Sequence, residues 1–334
     1  MRAWMIDAFG APLLARDVPE PIAGPGQVVV DVEAVSLNYR DLLVLGGTYD
    51  ARAKLPLVPC SDAAGTVVAA GPGATVPVGA RVTTVFAPGW LDGPPTAAGL
   101  RSTFAPPAPG VLAERIVVPE AAVVGAPPHL DAVGASTLPC AALTAWNALF
   151  EAGSVGPGDA VLVLGSGGVS VFAAQLALAA GARVAMTSSS DDKLARAAAL
   201  GVGFGVRYDR DPKWGRAAKA WAGGEGVDHV IEVGGVGTLA GSLSAVRPGG
   251  TISLIGVLAG SSAPVDLTSA LMRGVRIQGV FVGSRRMHER MVASMTASSL
   301  RPVVDLVVPF DEAPSAFEAL RAARHFGKVV IRRG

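Results

Sequence analysis

Apolar residues follow two different patterns along this chain. Over the first ~120 residues they come in short, partly alternating runs. Gln27-Val28-Val29-Val30-Asp31-Val32-Glu33-Ala34-Val35 reads as a strand, as do residues 65–70 and 81–85, with Gly24-Pro25-Gly26 and Gly71-Pro72-Gly73 as turn signals. These runs predict a small, irregular all-β barrel. Residues 87–110 are dense in proline and glycine and read as a long surface loop. From residue 131 the pattern changes. Asp131 predicts a helix N-cap, and residues 138–150 read as a long apolar helix. Strands are expected at 160–164, 183–187, 204–207, 227–232, 250–255 and 275–281, and helices between them at 168–180, 191–200, 212–222 and 237–246. Such alternation predicts a six-strand doubly wound parallel sheet in an α/β protein. Right-handed crossovers then fix its topology. Beyond residue 283, helices at 286–299 and 311–324 and strands at 303–307 and 328–332 leave that sheet and are expected to return to the first domain. No internal repeat is visible.

The run Val161-Leu162-Val163-Leu164-Gly165-Ser166-Gly167-Gly168-Val169-Ser170 carries the strongest chemical signal. An apolar run, as expected for a strand covered on both faces, ends in a glycine cluster and leads into a small-residue helix. That is the context of a dinucleotide-binding turn. Gly165 permits the tight turn and Gly167 lets backbone approach a pyrophosphate. The helix that follows offers unpaired N–H groups to the phosphates. Ser170 replaces the usual third glycine and is small enough for close packing.

Bulk properties narrow the class. The length of 334 residues suits two domains, and the net charge of +1 offers no basic patch for nucleic acid. Two cysteines exclude a disulfide scaffold and fit a reducing compartment. The first seven residues lack the apolar core of a signal peptide, so a cytoplasmic location is expected. Mean hydropathy is high, at +0.45. Residues 160–182 carry no charge and are about long enough to cross a bilayer, but the glycine cluster and the strand-like opening argue against a membrane helix.

A barrel-like first domain, a dinucleotide fold and a returning tail together resemble the medium-chain dehydrogenase/reductase superfamily. The marks are Gly65 after an acidic residue, the Gly165 turn and the ending Phe326-Gly327-Lys328-Val329-Val330. Asn38-Tyr39-Arg40-Asp41 is similar to a sequence of the zinc-independent, quinone oxidoreductase-like branch. The resemblance implies a GroES-like catalytic domain at 1–141, a Rossmann domain at 142–282 and a C-terminal segment at 283–334 that rejoins the first domain. It also locates the three zinc-ligand positions of the superfamily's alcohol dehydrogenases. Here they match Asn38, Ser61-Asp62 and Cys140. One ligand of three survives, and catalytic zinc needs three protein ligands and an open position. Cys60 stands beside the lost His position, and a two-thiolate site with Cys140 is the alternative, but both cysteines are expected to be packing residues. Residues 87–110 hold no cysteine for a structural zinc, so no metal is expected.

Without a Lewis acid, hydride addition to a conjugated C=C is the better match, because the enolate oxygen needs only hydrogen-bond donors. Candidate donors are Asn38, Tyr39, Arg40 and Tyr49. The four histidines read as structural or solvated, and no nucleophile elbow is present. For the cofactor, Ser188 and Ser189 stand where an NAD-preferring fold carries a carboxylate, and Lys193 follows. That set suits the 2′-phosphate of NADPH. The resemblance adds Thr144 near the nicotinamide, Tyr208 near the adenosine, and the strand ends Gly234, Gly235, Gly256, Val257, Phe281 and Val282. It adds Lys328 as a phosphate partner. Ser166, Gly168 and Val169 complete the turn. The expected cofactor cleft lies between the first domain and the sheet, with Asn38, Tyr39 and Thr144 near the nicotinamide. The expected activity is an NADPH-dependent reductase of quinones or α,β-unsaturated carbonyls, acting as a homodimer through the strand at 275–281. The alternatives are an alcohol dehydrogenase-like carbonyl reductase and an NADPH-binding protein with little turnover.

Overall fold

Ala160–Val163 is buried at all four positions because it has parallel neighbours on both sides, Arg183–Ser188 and Val227–Glu232. The full sheet runs Phe204–Arg207, Arg183–Ser188, Ala160–Val163, Val227–Glu232, Val246–Leu254, Arg276–Gly279. Every pairing in it is parallel. The computed structural model describes residues 1–334. They form two units, Thr144–Phe281, which holds this sheet, and Met1–Leu143 with Val282–Gly334. The protein is therefore α/β, with a Rossmann sheet in one unit.

In the second unit the core gathers Leu162, Ala185, Val230, Leu243 and Ile252 from the sheet and its helices. Helices Trp214–Trp221 and Val236–Ala245 approach through glycines. A Cβ on Gly215 would lie 2.2 Å from the Gly241 carbonyl oxygen, and one on Gly241 would lie 2.1 Å from the Trp214 ring. Two differences from expectation arise here. Thr268–Arg273 is helical, which its exposed Leu271 and Met272 had disguised. The last strand is Arg276–Gly279, shorter than the expected 275–281. The uncharged stretch 160–182 divides into a strand, a turn and the helix Gly168–Ala179. Twelve helical residues reach only about 18 Å, and no helix is long and apolar enough to cross a membrane.

The first unit is built on Gln27–Ser36. This strand pairs antiparallel with Asp62–Ala70 on one side. On the other it meets Arg115–Pro119 through its first half and Lys328–Arg332 through Ala34–Ser36. Arg81–Thr84 and Val123–Gly125 extend the sheet at one end and Val304–Pro309 at the other. The tail thus returns into the first unit. Gly65 lies where the ladder with Gln27–Ser36 is tightest; a Cβ there would sit 2.0 Å from the Asp31 carbonyl oxygen. Strands Arg2–Met5, Leu14–Asp17, Arg115–Pro119 and Val123–Gly125 escaped the sequence reading. Leu14–Asp17 is exposed at all four positions, so it carries no alternation to read.

The apolar stretch 138–150 is not one α-helix. It winds as a π-helix over Leu138–Ala142, an α-helix over Leu143–Trp146 and a π-helix over Asn147–Glu151. A run apolar at nearly every position has no polar face, so its periodicity cannot separate α from π winding.

Candidate active site

The phosphate turn has the geometry that its glycines predict. Gly165 takes φ +70°, in the left-handed region open to glycine. Its N–H donates to Thr187 Oγ1 at 3.1 Å, which ties the turn to the next strand. No atom lies within 4 Å of a Cβ built on Gly165 or Gly167, so backbone there can be approached closely. Ser166 is buried and Gly167 caps the helix Gly168–Ala179, where Gly168, Val169 and Ser170 supply first-turn N–H groups without intrahelical partners. Ser170 Oγ donates to the Leu164 carbonyl at 2.6 Å, closing helix onto strand where the third glycine would have been. These residues fit a dinucleotide pyrophosphate.

Around the serines expected at a cofactor's adenosine end, the arrangement is more elaborate than the sequence suggests. Ser188 is buried, its Oγ accepting the Ser190 N–H at 3.2 Å, while Ser189 is exposed. Ser190 caps the following helix through Lys193 N–H, and Lys193 is half-buried. Strand register sets Arg207 directly beside Ser188, and Tyr208 N–H donates to the Ser188 carbonyl at 3.2 Å. Arg207 Nη1 and Arg210 Nη1 both reach Asp191 Oδ2, at 2.7 and 3.1 Å. Asp191, one of two acidic residues that follow the serines, is therefore already paired, while Arg207 Nε and Nη2 also hold Asp209 at 2.8 and 2.7 Å. Neither arginine was legible in the sequence, because Arg207 ends a different strand that only the register sets beside Ser188, and Arg210 follows it and reaches Asp191.

At the fourth strand end the backbone is already engaged. Glu232 is fully buried, and its Oε1 accepts Gly234 N–H at 2.7 Å, Gly235 N–H at 3.1 Å and Thr238 Oγ1 at 2.5 Å. Ser242 Oγ donates to its other oxygen. The Gly234 and Gly235 N–H groups are thus taken by Glu232. Gly256 packs against the Val233 carbonyl, Val257 is half exposed and Phe281 is partly exposed. Thr144 is buried on its short helix. Val282 opens the returning segment of the first unit with φ +41°.

In the first unit the chemistry collects around Asn38. Asp41 Oδ2 accepts the Asn38 N–H at 2.7 Å and starts the helix Tyr39–Leu45. Lys328 begins the last strand, and its Nζ donates to the Leu37 carbonyl at 2.5 Å and to Asn38 Oδ1 at 2.6 Å. Asp62 lies close by, accepting Ser61 Oγ at 2.7 Å and Cys140 N–H at 3.0 Å. Asn38, Asp41, Ser61, Asp62 and Lys328 are all buried. Burial pushes the Asp41 carboxyl up to about 6 and also raises Asp62, which Lys328 pulls partly back. Burial lowers the Lys328 ammonium, offset by Asp62. It raises both cysteine thiols, with Asp41 pushing Cys60 and Asp62 pushing Cys140 the same way.

Three placements differ from the sequence reading. Lys328, expected to meet a phosphate, is turned inward and held by Leu37 and Asn38. Arg40, expected as a substrate donor, commits Nη1 to Phe104 O at 3.0 Å and Nη2 to Ala105 O at 2.9 Å. Its guanidinium lies 4.4 Å from the Tyr49 ring centroid and 4.9 Å from that of Phe86. Buried Arg40 thus fastens the 104–105 loop, with the partly buried Tyr49 ring against its guanidinium. Asp41, overlooked in the sequence, joins the cluster; its signal was the Asn-x-x-Asp spacing of a helix start. Tyr39 is 51% exposed and remains open to a ligand.

Residues 24–128 match the alcohol dehydrogenase GroES-like domain family and residues 168–297 the zinc-binding dehydrogenase family. A zinc-type alcohol dehydrogenase-like protein of Schizosaccharomyces pombe is 43% identical, over 95% of this chain and 93% of its own. A crystal structure of an NAD-dependent alcohol dehydrogenase superposes with TM-score 0.92 at 33% identity, covering all of both chains. The quinone oxidoreductase of Thermus thermophilus, solved also with NADPH, gives 0.77 at 33% identity, over 99% of this chain and 100% of its own. The zinc that the family name implies does not fit the donors present. At the ligand positions stand an amide, a hydroxyl–carboxylate pair and one thiol, and an ammonium rests on the amide. No three His, Cys, Asp or Glu side chains gather closely enough to hold a metal ion. Two domain matches spanning most of the chain and a relative at 43% identity lead to one conclusion: the chain belongs to the medium-chain dehydrogenase/reductase superfamily.

Proposed function

We propose that the chain is an NADPH-dependent oxidoreductase that reduces a quinone or an α,β-unsaturated carbonyl without zinc. The observation that carries this reading is the donor set around Asn38. It is poor for a metal and well suited to hydrogen-bonding an oxygen that gains negative charge. A bound nicotinamide supplies a hydride. The residues of this chain then have three tasks. The Gly165–Ser170 turn binds the pyrophosphate through backbone N–H groups. Ser188, Ser189, Lys193 and Arg207 bind the 2′-phosphate, with Tyr208 at the adenosine. Asn38 donates to the substrate oxygen, with Tyr39 as an exposed second donor, and water delivers the final proton.

The neighbour named as an NAD-dependent alcohol dehydrogenase favours a second reading, a carbonyl reductase or alcohol dehydrogenase using NADH. One experiment separates the two. NADPH and NADH consumption is followed with quinones, enones, aldehydes and, in reverse, alcohols, with and without a chelator, alongside elemental analysis. The proposal expects turnover of quinones or enones, indifference to chelator and far less than one zinc per chain. One tightly held zinc lost together with activity would overturn it. The proposed cellular setting is the cytoplasm, and the proposed assembly is a homodimer paired through Arg276–Gly279.

A further inference from the structure

An ammonium can only donate, so the Asn38 atom that Lys328 touches at 2.6 Å must be the amide oxygen. The amide is planar, so its Nδ2 is thereby fixed on the opposite side. Nδ2 is buried and meets no acceptor at full hydrogen-bond geometry; its looser bond to the Asp62 carboxylate, which lowers that carboxyl's pKa, is the contact a substrate oxygen would replace. A buried donor without a well-placed acceptor costs free energy, and Asn38 as a whole is only 8% exposed. The backbone locks this arrangement. Leu37 N–H donates to the Val329 carbonyl at 3.0 Å, one residue beyond Lys328, and Val330 pairs with Ser36 in the ladder. The lysine stem has little freedom to swing toward any other partner, since Nζ also donates to the Leu37 carbonyl.

We propose that Lys328 is a positioning residue that sets the Asn38 amide and, by a charge-assisted hydrogen bond to Oδ1, strengthens Nδ2 as the donor to a substrate carbonyl oxygen. The inference rests on the reductase reading above. The positive charge acts through the amide and does not touch the substrate. A hydrogen bond from an ionised donor polarises the group that accepts it, so the Nδ2 protons become better donors as the enolate oxygen gains charge. Nothing is transferred along this relay. A bound nicotinamide would supply the hydride to the conjugated carbon, the oxygen would gain the charge that Asn38 stabilises, and the final proton would come from water.

The test compares wild type with Lys328→Met, Lys328→Arg, Asn38→Asp and the double variant Lys328→Met/Asn38→Asp. For each, kcat and KM are measured with a quinone or enone that wild type reduces. NADPH affinity is measured by fluorescence and the thermal midpoint is recorded. Losing one preorganised donor typically costs about 10²–10³-fold in kcat, so Lys328→Met should lose roughly tenfold to a hundredfold of it. KM and NADPH affinity should change by less than about threefold. Lys328→Arg should recover most of kcat. The double variant should be about as slow as Asn38→Asp alone, because members of one relay are not additive. Lys328→Met with wild-type kcat would overturn the relay and leave the reductase reading standing. A matched loss of NADPH affinity would make Lys328 a phosphate partner instead. If Lys328→Met does not fold, Lys328→Arg and Asn38→Asp decide: a fast Asn38→Asp variant overturns the relay. A wild type inactive on every carbonyl overturns the reading itself and the relay with it.

Discussion

Arg207 and Lys328 mark the limits of what a sequence discloses about single residues. The phosphate turn was legible because its function needs consecutive residues, an apolar run, glycines and a helix start. Arg207 lies 19 residues beyond Ser188 and becomes its neighbour only through the register of two parallel strands. Lys328, after Gly327, was expected as a phosphate partner on the family resemblance alone. Its inward direction depends on the pairing of Lys328–Arg332 with Ala34–Ser36, which local pattern does not encode. Both arginines at the adenosine end bear on cofactor choice. They pair with Asp191 and so remove its repulsion from a phosphate. Arg207→Ala should therefore weaken NADPH binding by about tenfold to a hundredfold, the range for a lost charge-assisted hydrogen bond, and leave NADH almost unchanged. Ser188→Asp should shift preference toward NADH. Titration of both cofactors against each variant reads this directly, and equal losses for both cofactors would count against a 2′-phosphate site.

Among the elements, the buried parallel strands were the most legible. Ala160–Val163, buried at all four positions, shows as an apolar run, and Val227–Glu232 and the edge strand Phe204–Arg207 stand at their expected bounds. Exposed strands such as Leu14–Asp17 and the π-wound stretch had no period to give them away. The helix Arg285–Ser298 was expected, but not what it buries. His288 on it is fully buried, with Nε2 3.4 Å from Thr83 Oγ1 and Nδ1 without a partner. Burial, helped by the Arg285 charge, pushes its pKa from 6.5 down to about 3. Above pH 6.5 the ring is neutral folded or unfolded, and its contribution to stability is complete. Below that the unfolded chain takes up a proton that the folded chain refuses, so stability falls by up to about 1.4 kcal/mol per pH unit toward pH 3. Urea unfolding between pH 4 and 8 should show His288→Leu with a shallower acid slope than wild type, by close to one proton. Parallel slopes would mean that His288 is protonated in the fold.

For the whole molecule, the sequence conveyed two units and a tail that rejoins the first, because the change from alternating runs to strand–helix repeats is visible over long windows. Assembly was less legible, and the surface of the second unit now gives it particulars. Arg276–Gly279 is an edge strand with one partner, Val246–Leu254. The helix just before it exposes Leu271 at 80% and Met272 at 77%. An open edge beside apolar side chains invites pairing with a second copy. Sedimentation should find a dimer for wild type and a monomer for Leu271→Glu/Met272→Glu, with the thermal midpoint of each chain little changed. A wild-type monomer at micromolar concentration would exclude this assembly.

The position of Lys328–Arg332 inside the first sheet sets an order of events during synthesis. Gln27–Ser36 emerges early, but its partner along Ala34–Ser36 is made about 290 residues later. At roughly 5–20 residues per second, that is a wait of tens of seconds. Thr144–Phe281 draws on no such distant segment and can complete its sheet while the ribosome is still working. The half of the protein that is translated first is therefore finished last, and the Asn38 amide acquires its fixed orientation only when nearly the whole chain exists.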